Sequence, residues 1–463
     1  METRNIKIKI PKEANDLIHA LQEGGYEAYV VGGCVRDSIL NRPVHDWDIC
    51  TSATPREMIE IFKDKRIIET GLKHGTITVL NGDGQYEITT FRTDGEYSDC
   101  RRPDNVTFVK NLREDLQRRD FTINAIAYND ETGIVDPFDG MKDIDNQLIR
   151  CVGNPIDRLN EDGLRIMRAI RFAAQLDFAI ENSTEVVISL LARNLNNISA
   201  ERISSELKKI MASTRPSIIM ENEEILKRIV PEFIPCIGFQ QNNPYHDLTV
   251  EKHIWLSLIF SETDNLYVNL ALLFHDIGKP ECYTEDENGI GHFYGHPETS
   301  AKIADRIMRR LKFDNYTRES VVELVKYHDA EINPTPRNVK KWLNKIGEEQ
   351  FRRLLWVKDA DIKAQKYEYR DERIKKLHKI IDVLDEVTFD DTTCFSLKDL
   401  AINGNDVMRI IGIEPGREVG EWLNKALENI IEGKMKNNRT ELITWLQEWS
   451  NWLSGNKKER KVK

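Results

Sequence analysis

The hydrophobic pattern of this chain changes near residue 150, and that change limits the folds the chain can adopt. Before it, short apolar runs typical of strands alternate with helical segments. The predicted strands are 28–31, 48–50, 76–80, 86–91 and 123–128, and a helix capped by Thr54 is predicted over 55–62. After about residue 155, apolar residues recur with helical periodicity to the end. The sequence therefore predicts an α+β protein with an α/β head and helical domains after it.

The chain has 463 residues, which is enough for several domains. A proline-rich break near 235–245 and an acidic, turn-like stretch at 388–393 are the expected boundaries in the helical part. We expect four domains, which span residues 1–150, 151–235, 236–385 and 386–463.

Charge and cysteine content narrow the class of protein. The net charge of −11 argues against a general nucleic-acid coat protein, but it allows an RNA enzyme with local basic patches. One such patch is formed by Arg165, Arg168 and Arg171 on a helix predicted over 157–176. The seven cysteines form no C-x-x-C pair, and their odd number argues against a disulfide framework. With no apolar run of transmembrane length and no secretory signal, we expect a cytoplasmic protein without a membrane partner.

Two aspartates, Asp46 and Asp48, lie one residue apart beside the predicted strand 48–50. Residues two apart in a strand face the same side, and two carboxylates on one side can hold two Mg²⁺ ions against a triphosphate. Upstream, Gly32 and Gly33 follow a predicted strand, where backbone amides can cradle phosphates and Arg36 can supply a cation. The alternative is a surface loop with solvated carboxylates. Together the two motifs indicate metal-dependent nucleotidyl transfer.

Two further segments of the head carry polar groups. Glu87, in the alternating strand 86–91, can add a third carboxylate that deprotonates the attacking hydroxyl or completes the metal site. Its alternative is an exposed strand residue. Arg118-Arg119-Asp120, before the predicted strand 123–128, can bind triphosphate and ribose or form a salt-bridged strand entry.

Asp162 and Arg165 are three residues apart in the predicted helix 157–176, so they share one face. They can form an ion pair, or they can recognise a base. Cytosine and adenine both present an amino donor beside a ring-nitrogen acceptor, which a carboxylate and a guanidinium match. Guanine and uracil present the opposite pattern. The pair therefore predicts selection of C and A.

The motifs Gly32-Gly33-x-x-Arg36-Asp37, Asp46-x-Asp48, 118–125 and Glu161-Asp162-x-x-Arg165, followed by 198–207, resemble those of bacterial class II tRNA nucleotidyltransferases. This family contains the CCA-adding enzymes and their poly(A) polymerase relatives. The resemblance implies a polymerase-β-like nucleotidyltransferase head, a helical neck with the base-recognition motif, a body, and a tRNA-binding tail.

By that resemblance, Asp46 and Asp48 hold catalytic Mg²⁺, and Asp162 and Arg165 act as an amino-acid template for CTP and ATP. The remaining nucleotide-binding residues are expected to be Gly32, Gly33, Arg36, Asp120, Asn124, Arg168 and Arg171. Residues 96–103 are similar to the flexible loop of enzymes that add the terminal A, so we do not expect activity restricted to CC. Residues 400–408 and a helix predicted over 419–431 resemble the C-terminal region of HD-containing members.

A second motif, Phe274-His275-Asp276-Ile277-Gly278-Lys279-Pro280, is identified as that of the HD phosphohydrolase superfamily. His253 upstream and Asp361 downstream, with Asp359 as an alternate, fit the remaining ligands of a divalent metal. His296 and His328 lie where two-metal members of the superfamily place extra ligands. We expect an HD-type body that can hold a second divalent metal, while some relatives keep this fold mainly to hold RNA.

The expected function is template-independent addition of C, C and A to tRNA 3′ ends by two-metal nucleotidyl transfer. One alternative is an A-adding enzyme or poly(A) polymerase of the same family. Another is an HD metal-dependent phosphohydrolase whose head binds RNA, and a third is a non-catalytic tRNA-binding protein. The sequence indicates no obligate protein partner.

Overall fold

The computed structural model describes residues 6–95, 106–245, 247–389 and 394–459. They divide into two compact units. The first reaches residue 234 and includes 264–266 and 307–314, and the second contains 235–263, 267–306 and the chain from 315 onward. The loop at 96–103 lies outside the described residues. The α+β prediction is confirmed, because most of the strands lie in the first 150 residues, among helices, and the rest of the described chain is mostly helical.

The head is built around a sheet whose strands come from residues 28–135. The strands of this region are β1 Ala28–Val31, β2 Ile49–Thr51, β3 Arg66–Ile68, β4 Thr76–Asn81, β5 Gly84–Thr90, β6 Arg92–Asp94, β7 Val106–Phe108, β8 Ala127–Asn129 and β9 Gly133–Val135. Seven of them form one sheet in the order β3-β4-β5-β2-β1-β8-β9, while β6 and β7 pair separately. Within the large sheet, β2 and β5 are parallel and the other neighbours are antiparallel. This parallel pair places the end of the segment 41–48 next to the middle of β5.

The helices of the head flank this sheet. They are α1 Lys12–Glu23, α2 Gly33–Ile39, α3 Pro55–Ile61, α4 Leu112–Gln117 and α5 Gly140–Asp145, with 3₁₀ helices at Leu72–His74 and Thr122–Asn124. Helix α3 begins as predicted, because Thr54 and Glu57 form a reciprocal capping box.

The strand predicted over 123–128 is wrong in its first half, where the 3₁₀ helix Thr122–Asn124 replaces it. The side chain of Thr122 donates to Asp143, and that of Asn124 donates to Asp120. These local polar contacts compete with strand pairing. The strand β8 therefore begins only at Ala127.

The neck follows, and all of it up to residue 234 lies in the first unit. Its elements are β10 Leu148–Ile149, α6 Pro155–Glu161, α7 Leu164–Leu176, β11 Ala179–Ile180, α8 Asn182–Leu191, a 3₁₀ helix Ala192–Asn197, α9 Ala200–Met211, α10 Ile218–Glu221, α11 Glu223–Ile229 and a 3₁₀ helix Pro231–Cys236. Ser199 is the N-cap residue of α9, but its side chain makes no capping hydrogen bond.

The single helix predicted over 157–176 is wrong, because the chain breaks between α6 and α7. Asp162 is extended at φ −133° and ψ 106°, and its Oδ1 accepts from the N–H of Leu164 at 3.0 Å. Gly163 faces Asn194, where an added Cβ would lie 3.2 Å from the backbone oxygen. The carboxylate at 162 therefore caps a new helix instead of continuing the old one.

The remaining chain is mostly helical. Its elements are α12 Val250–Ile259, α13 Leu266–Phe274, α14 Lys279–Cys282, β12 Thr284–Glu285, β13 Gly291–His292, α15 His296–Arg310, α16 Asn315–Tyr327, α17 Pro336–Ile346, α18 Glu348–Lys363, α19 Tyr367–Phe389, a 3₁₀ helix Leu397–Asp399, α20 Gly404–Val407, a π-helix Met408–Gly412, α21 Arg417–Ile431 and α22 Arg439–Glu459. The last helices share a core around Trp422, Leu442 and Leu446. Two short strand pairs interrupt the otherwise helical part. Strands β10 and β11 pair in parallel, and β12 and β13 pair antiparallel. Across the described ranges, no helix has the length and apolar content that a bilayer span requires.

Candidate active site and metal centre

The carboxylates of Asp46, Asp48 and Glu87 lie close together where the chain enters β2. The N–H of Val31 donates to the carbonyl of Asp48 at 3.0 Å, so the sheet pairing already begins at that residue. In the parallel pair, Ile49 lies opposite Ile88. Continuing this register by one residue brings Asp48 beside Glu87, and both residues are exposed. The sheet thus joins two acids that are 39 positions apart in the chain.

Electrostatics confirm that these acids act on one another. Loss of surrounding water raises the pKa of the Asp48 carboxyl, Glu87 and Asp46 raise it further, and Arg119 opposes them. Asp48 nevertheless keeps a solvent-exposed surface. Like charges in such proximity favour binding of a cation, and carboxylate oxygens are the ligands that Mg²⁺ prefers. The donor set of this cluster therefore fits Mg²⁺.

The glycine turn beside the acids needs glycine for two reasons. Gly32 adopts φ +82°, and a Cβ there would lie 3.1 Å from Nη1 of Arg119. Helix α2 begins at Gly33, immediately after the turn. The glycine turn therefore follows the predicted strand and leads directly into a helix.

A hydrogen-bonded chain links the turn to the neck helix. Nη1 of Arg36 donates to Oδ1 of Asn124 at 2.6 Å, and Nδ2 of Asn124 donates to Oδ1 of Asp120 at 3.1 Å. Nε of Arg168 donates to Oδ2 of Asp120 at 2.7 Å. Burial raises the pKa of the Asp120 carboxyl, but Arg168 and Asn124 outweigh burial and hold it well below its ordinary value. Asp120 and Asn124 therefore hold Arg36 and Arg168 in place.

One phenyl ring, that of Phe172 in α7, contacts three guanidinium groups. The guanidinium carbons of Arg36, Arg168 and Arg171 lie 5.0, 5.3 and 4.1 Å from its centroid. Burial and the neighbouring Arg168 lower the pKa of Arg171 to about 10, and Glu206 pairs with it at 2.9 Å. The Phe172 ring thus brings three positively charged side chains close together beside the neck helix α7.

Asp162 and Arg165 each pair with other residues. Arg202 donates to the two carboxylate oxygens of Asp162 at 2.9 and 3.4 Å. Arg165 pairs with Glu161 and donates to the carbonyl of Arg158 at 2.8 Å. The two side chains are held separately on either side of Gly163.

The sequence reasoning assigned no role to several residues that hold these groups: Phe172, Glu161, Arg202 and Glu206. The four-residue spacing of Glu161 and Arg165 is a readable signal of pairing. The pairing of Arg202 with Asp162 spans 40 positions, and no local pattern marks it.

In the second unit, four histidines surround one aspartate. Oδ2 of Asp276 lies 3.4 Å from Nε2 of both His253 and His275. Its Oδ1 lies 3.3 Å from Nε2 of His296 and 3.6 Å from Nε2 of His328. All five residues are buried. The structure therefore brings together residues from four different helical segments of the sequence.

A second carboxylate joins this cluster. Oδ1 of Asp361, on α18, lies 2.9 Å from Nε2 of His253. Asp359, the alternate, pairs instead with Lys363 at 2.8 Å. Burial alone would lower the pKa of His275, but the Asp276 and Asp361 carboxylates raise it to about 10. In the absence of a metal, a proton on His275 therefore balances part of the negative charge.

The Nδ1 atoms of the histidines lie near backbone carbonyls, and these contacts orient the rings. Nδ1 of His275 lies 2.7 Å from the carbonyl of Leu272, and Nδ1 of His253 lies 3.4 Å from the carbonyl of Ala364. A carbonyl accepts but never donates, so it favours a proton on Nδ1 and leaves Nε2 facing the carboxylates, where it can hold either a metal or, on His275, the additional proton. A cavity of about 350 Å³ borders the cluster and is lined in part by Lys279.

Comparison with known proteins shows which families this chain resembles. Residues 28–150 match the family described as Poly A polymerase head domain, 177–237 match the probable RNA and SrmB- binding site of polymerase A, and 284–446 match the putative tRNA nucleotidyltransferase domain 2. The CCA-adding enzyme of Enterococcus faecalis is 34% identical and covers 94% of this chain and 95% of its own length. That of Lactobacillus helveticus is 36% identical and covers 94% and 96%. The crystal structure of the Bacillus stearothermophilus CCA-adding enzyme in complex with CTP is 28% identical, with a TM-score of 0.68 and coverage of 96% and 98%.

Proposed function

This chain belongs to the family of CCA-adding enzymes, and we propose that Asp46 and Asp48 carry its chemistry. It is a tRNA nucleotidyltransferase that adds C, C and A to tRNA 3′ ends from CTP and ATP. The observation that carries the residue assignment is the parallel register, which sets Glu87 beside Asp48.

Enzymes of this family depend on a divalent metal, and we assign Mg²⁺ to Asp46 and Asp48. When bound, Mg²⁺ offsets the charge of the carboxylates and the triphosphate and polarises the α-phosphate. Glu87 accepts the proton of the tRNA 3′-hydroxyl. The hydroxyl oxygen then forms a bond to the α-phosphorus as the bond to the β-phosphate oxygen breaks.

The leaving pyrophosphate needs donors and positive charge. The amide at Gly33, where α2 begins, and the guanidinium of Arg36 supply them in this assignment, while Gly32 forms the turn and its own N–H donates to the carbonyl of Ile126. Asp120 and Asn124 support the same step by holding guanidinium groups, as their hydrogen bonds indicate.

In this proposal, Asp162 and Arg165 select the base. The carboxylate of Asp162 accepts from the amino group of C or A, and the guanidinium of Arg165 donates to the ring nitrogen. Arg202 supports the choice because it holds the carboxylate through both oxygens. Arg168 and Arg171 lie on the same helix and complete the positively charged side of the nucleotide site.

The deciding experiment measures incorporation on three tRNA transcripts, which end before CCA, after C and after CC. Each receives CTP, ATP, both, or GTP and UTP, with Mg²⁺, and the products are sequenced. We expect ordered addition of C, C and A followed by a stop. Asp48→Asn should lose on the order of 10²–10³-fold in rate, as for loss of one transition-state contact. Asp83→Asn, an exposed aspartate in the β4–β5 turn, serves as the matched control and should retain full rate.

Other outcomes favour the alternatives. Addition of A without C would identify an A-adding enzyme or a poly(A) polymerase, according to the length of the product. Full incorporation by Asp48→Asn would refute the assignment of the acids. Asp162→Ala should relax base choice while some transfer remains, and strict C and A selection by this variant would refute the template.

We infer that the body binds a divalent cation through His253, His275, Asp276 and Asp361. The support is the convergence of two imidazoles on Oδ2 of Asp276, with Asp361 at 2.9 Å from His253. Mixed imidazole and carboxylate ligands suit first-row transition metals. Metal content of the purified protein tests this site, and absence of bound metal in the presence of excess Mn²⁺ or Zn²⁺ would refute it.

The four-part division at residues 150, 235 and 385 is also a proposal, and so is the cytoplasm as the location. The six described cysteines are free, which supports a reducing compartment. Limited proteolysis tests the division, since cleavage should concentrate near the proposed boundaries.

A further inference from the structure

We propose that the hydroxyl groups of Thr76 and Thr89 bind the 2′-hydroxyl of the terminal ribose of tRNA, so that they select an RNA end for extension. This inference rests on the proposed function, in which Glu87 accepts the proton of the 3′-hydroxyl. It gives a specificity-determining role to two threonines that have no part in that function so far.

The order of the strands determines where the terminal ribose lies. Strands β1, β2, β5, β4 and β3 follow one another across the sheet. In the proposed function, Gly33 and Arg36 hold the pyrophosphate just beyond β1, the aspartates bind Mg²⁺ at the start of β2, and Glu87 is on β5. In such a displacement the attacking and leaving oxygens lie roughly in line with the phosphorus. A leaving group beside β1 and a base on β5 therefore place the terminal ribose over β5 and β4.

The face of β5 that carries Glu87 is accessible. Glu87 is exposed and Thr89 is partly exposed, whereas Ile88 between them is buried. Residues two apart in a strand face the same side, so Thr89 follows Glu87 on this face. Across the antiparallel pair, the partly exposed Thr76 of β4 lies opposite Thr89. The accessible face therefore presents two threonine hydroxyls next to Glu87.

The two hydroxyls bond to each other and can still bind a third. Oγ1 of Thr76 lies 2.9 Å from Oγ1 of Thr89. Each hydroxyl has one proton and two acceptor lone pairs. One of the two protons makes the bond between the threonines, so the other proton can be donated to a ligand oxygen. A ribose hydroxyl, which both donates and accepts, matches this pair.

The spacing along β5 suits the two hydroxyls of one ribose. Residues of a strand rise about 3.3 Å each, so the Cα atoms of Glu87 and Thr89 are about 6–7 Å apart. Each O–H···O hydrogen bond spans about 2.7–2.8 Å. The carboxylate and the threonine can therefore bond to two oxygens on neighbouring ring carbons, with Glu87 at the 3′-hydroxyl and Thr89 at the 2′-hydroxyl. A DNA end lacks the second of these groups, which is the one that distinguishes RNA from DNA.

The same face continues onto the edge strand β3 with groups that suit RNA. Thr78 lies opposite Glu87, and Ile68 of β3 lies opposite Thr78. Arg66, two residues before Ile68, faces the same side, and its side chain is exposed. A guanidinium binds phosphate oxygens well. An RNA end on this face therefore meets a positive charge as well as hydroxyl groups.

The experiment compares two tRNAs that end after CC and differ only in the 2′-hydroxyl of the last ribose. The kcat/KM for addition of A is measured on both ends with wild type, Thr89→Val and Thr76→Val. We expect wild type to prefer the ribose end by roughly ten- to a hundred-fold, the range for a hydrogen-bonding group that loses its partner. Each valine variant should lose most of that factor on the ribose end and keep the wild-type rate on the deoxyribose end.

Two further variants serve as controls. Thr89→Ser keeps the hydroxyl and should keep the preference for the ribose end. Thr132→Val makes the same change at an exposed threonine in the β8–β9 turn and should leave both rates unchanged. Circular dichroism and thermal unfolding check that each variant is folded. If Thr89→Val fails to fold, Thr76→Val and the preference of wild type decide the question.

The outcomes separate this inference from the proposed function. Equal extension of both ends by wild type, or an undiminished preference in the valine variants, would overturn the role of the threonines and leave the proposed function standing. An equal loss on both ends in the valine variants would also overturn it, because the pair would then only stabilise the sheet. No incorporation by wild type on either end refutes the proposed function, and the inference falls with it.

Discussion

Replacing Phe172 with leucine tests whether one phenyl ring holds the positive groups of the nucleotide site. The ring contacts the guanidinium groups of Arg36, Arg168 and Arg171 at 5.0, 5.3 and 4.1 Å. It also packs edge-to-face against Phe121 at 5.8 Å. Leucine keeps an apolar side chain at this position but has no ring face to attract a cation.

The expected loss follows from these contacts. A cation over an aromatic face contributes about 0.5–1 kcal/mol at exposed sites and about 2 kcal/mol when desolvated. Two of the three arginines, Arg36 and Arg171, are buried, whereas Arg168 is one-third exposed. Because the three contacts share one ring and are not additive, we expect a combined loss of about 1.5–3 kcal/mol.

Phe121→Leu is the matched control. It removes the same edge-to-face contact and a buried ring of the same size, while cation–π contacts to Phe172 stay in place. The difference between the two variants therefore isolates the guanidinium contacts. Hydrogen exchange of peptides covering α7 (Leu164–Leu176) measures the local stability, and steady-state kinetics measure the KM for CTP.

We expect peptides of α7 to exchange roughly ten- to a hundred-fold faster in Phe172→Leu than in Phe121→Leu, since about 1.4 kcal/mol is a factor of ten. The KM for CTP should rise more than in the control, because Arg36 and Arg168 lose a positioning contact. Equal exchange rates and equal KM values in the two variants would refute the reasoning.

Three further predictions concern single charges. Asp48→Asn should unfold at higher urea concentration than wild type at pH 7 without metal, because burial and Glu87 raise the pKa of this carboxyl and so disfavour its charged form. That gain should vanish at acidic pH, where the wild-type carboxyl is also neutral, and a constant gain would contradict it. Asp120→Asn should lose less stability than wild type as the pH falls from 4 to 2, because the pKa of Asp120 is held well below its ordinary value, so its stabilising contribution is complete above that ordinary value and is lost progressively below it. Urea unfolding at both pH values checks this, and identical losses would count against it. Arg202→Met should reduce the kcat/KM preference for CTP over UTP by about tenfold or more, because a charge-assisted hydrogen bond to Asp162 contributes about 1.5–3 kcal/mol. An unchanged preference would show that the carboxylate needs no such support.

Local pattern determined much of this protein from the sequence. The strand, glycine turn and helix at 28–39 follow from an apolar run and from a φ that only glycine adopts readily. The start of α3 follows from the capping box that Thr54 and Glu57 form. Asp46 and Asp48 were readable as a pair because their spacing alone sets them on one side of an extended segment.

Local pattern failed where polar side chains found partners elsewhere in the fold. The break at Asp162 and the 3₁₀ turn at Thr122–Asn124 both replace regular elements, because their side chains bond to nearby polar groups. Helical and strand periodicity cannot report such contacts.

Only the tertiary structure decided how distant residues combine. Glu87 reaches Asp48 through the parallel pairing of two strands, and Arg202 reaches Asp162 across 40 positions. The motif around His275 was visible in the sequence, but the division of Asp276 between two imidazole pairs depends on how four helical segments pack. Sequence determines which chemical groups are available, whereas the packing of the chain determines which atoms lie within a few ångströms, and charge interactions depend on that distance.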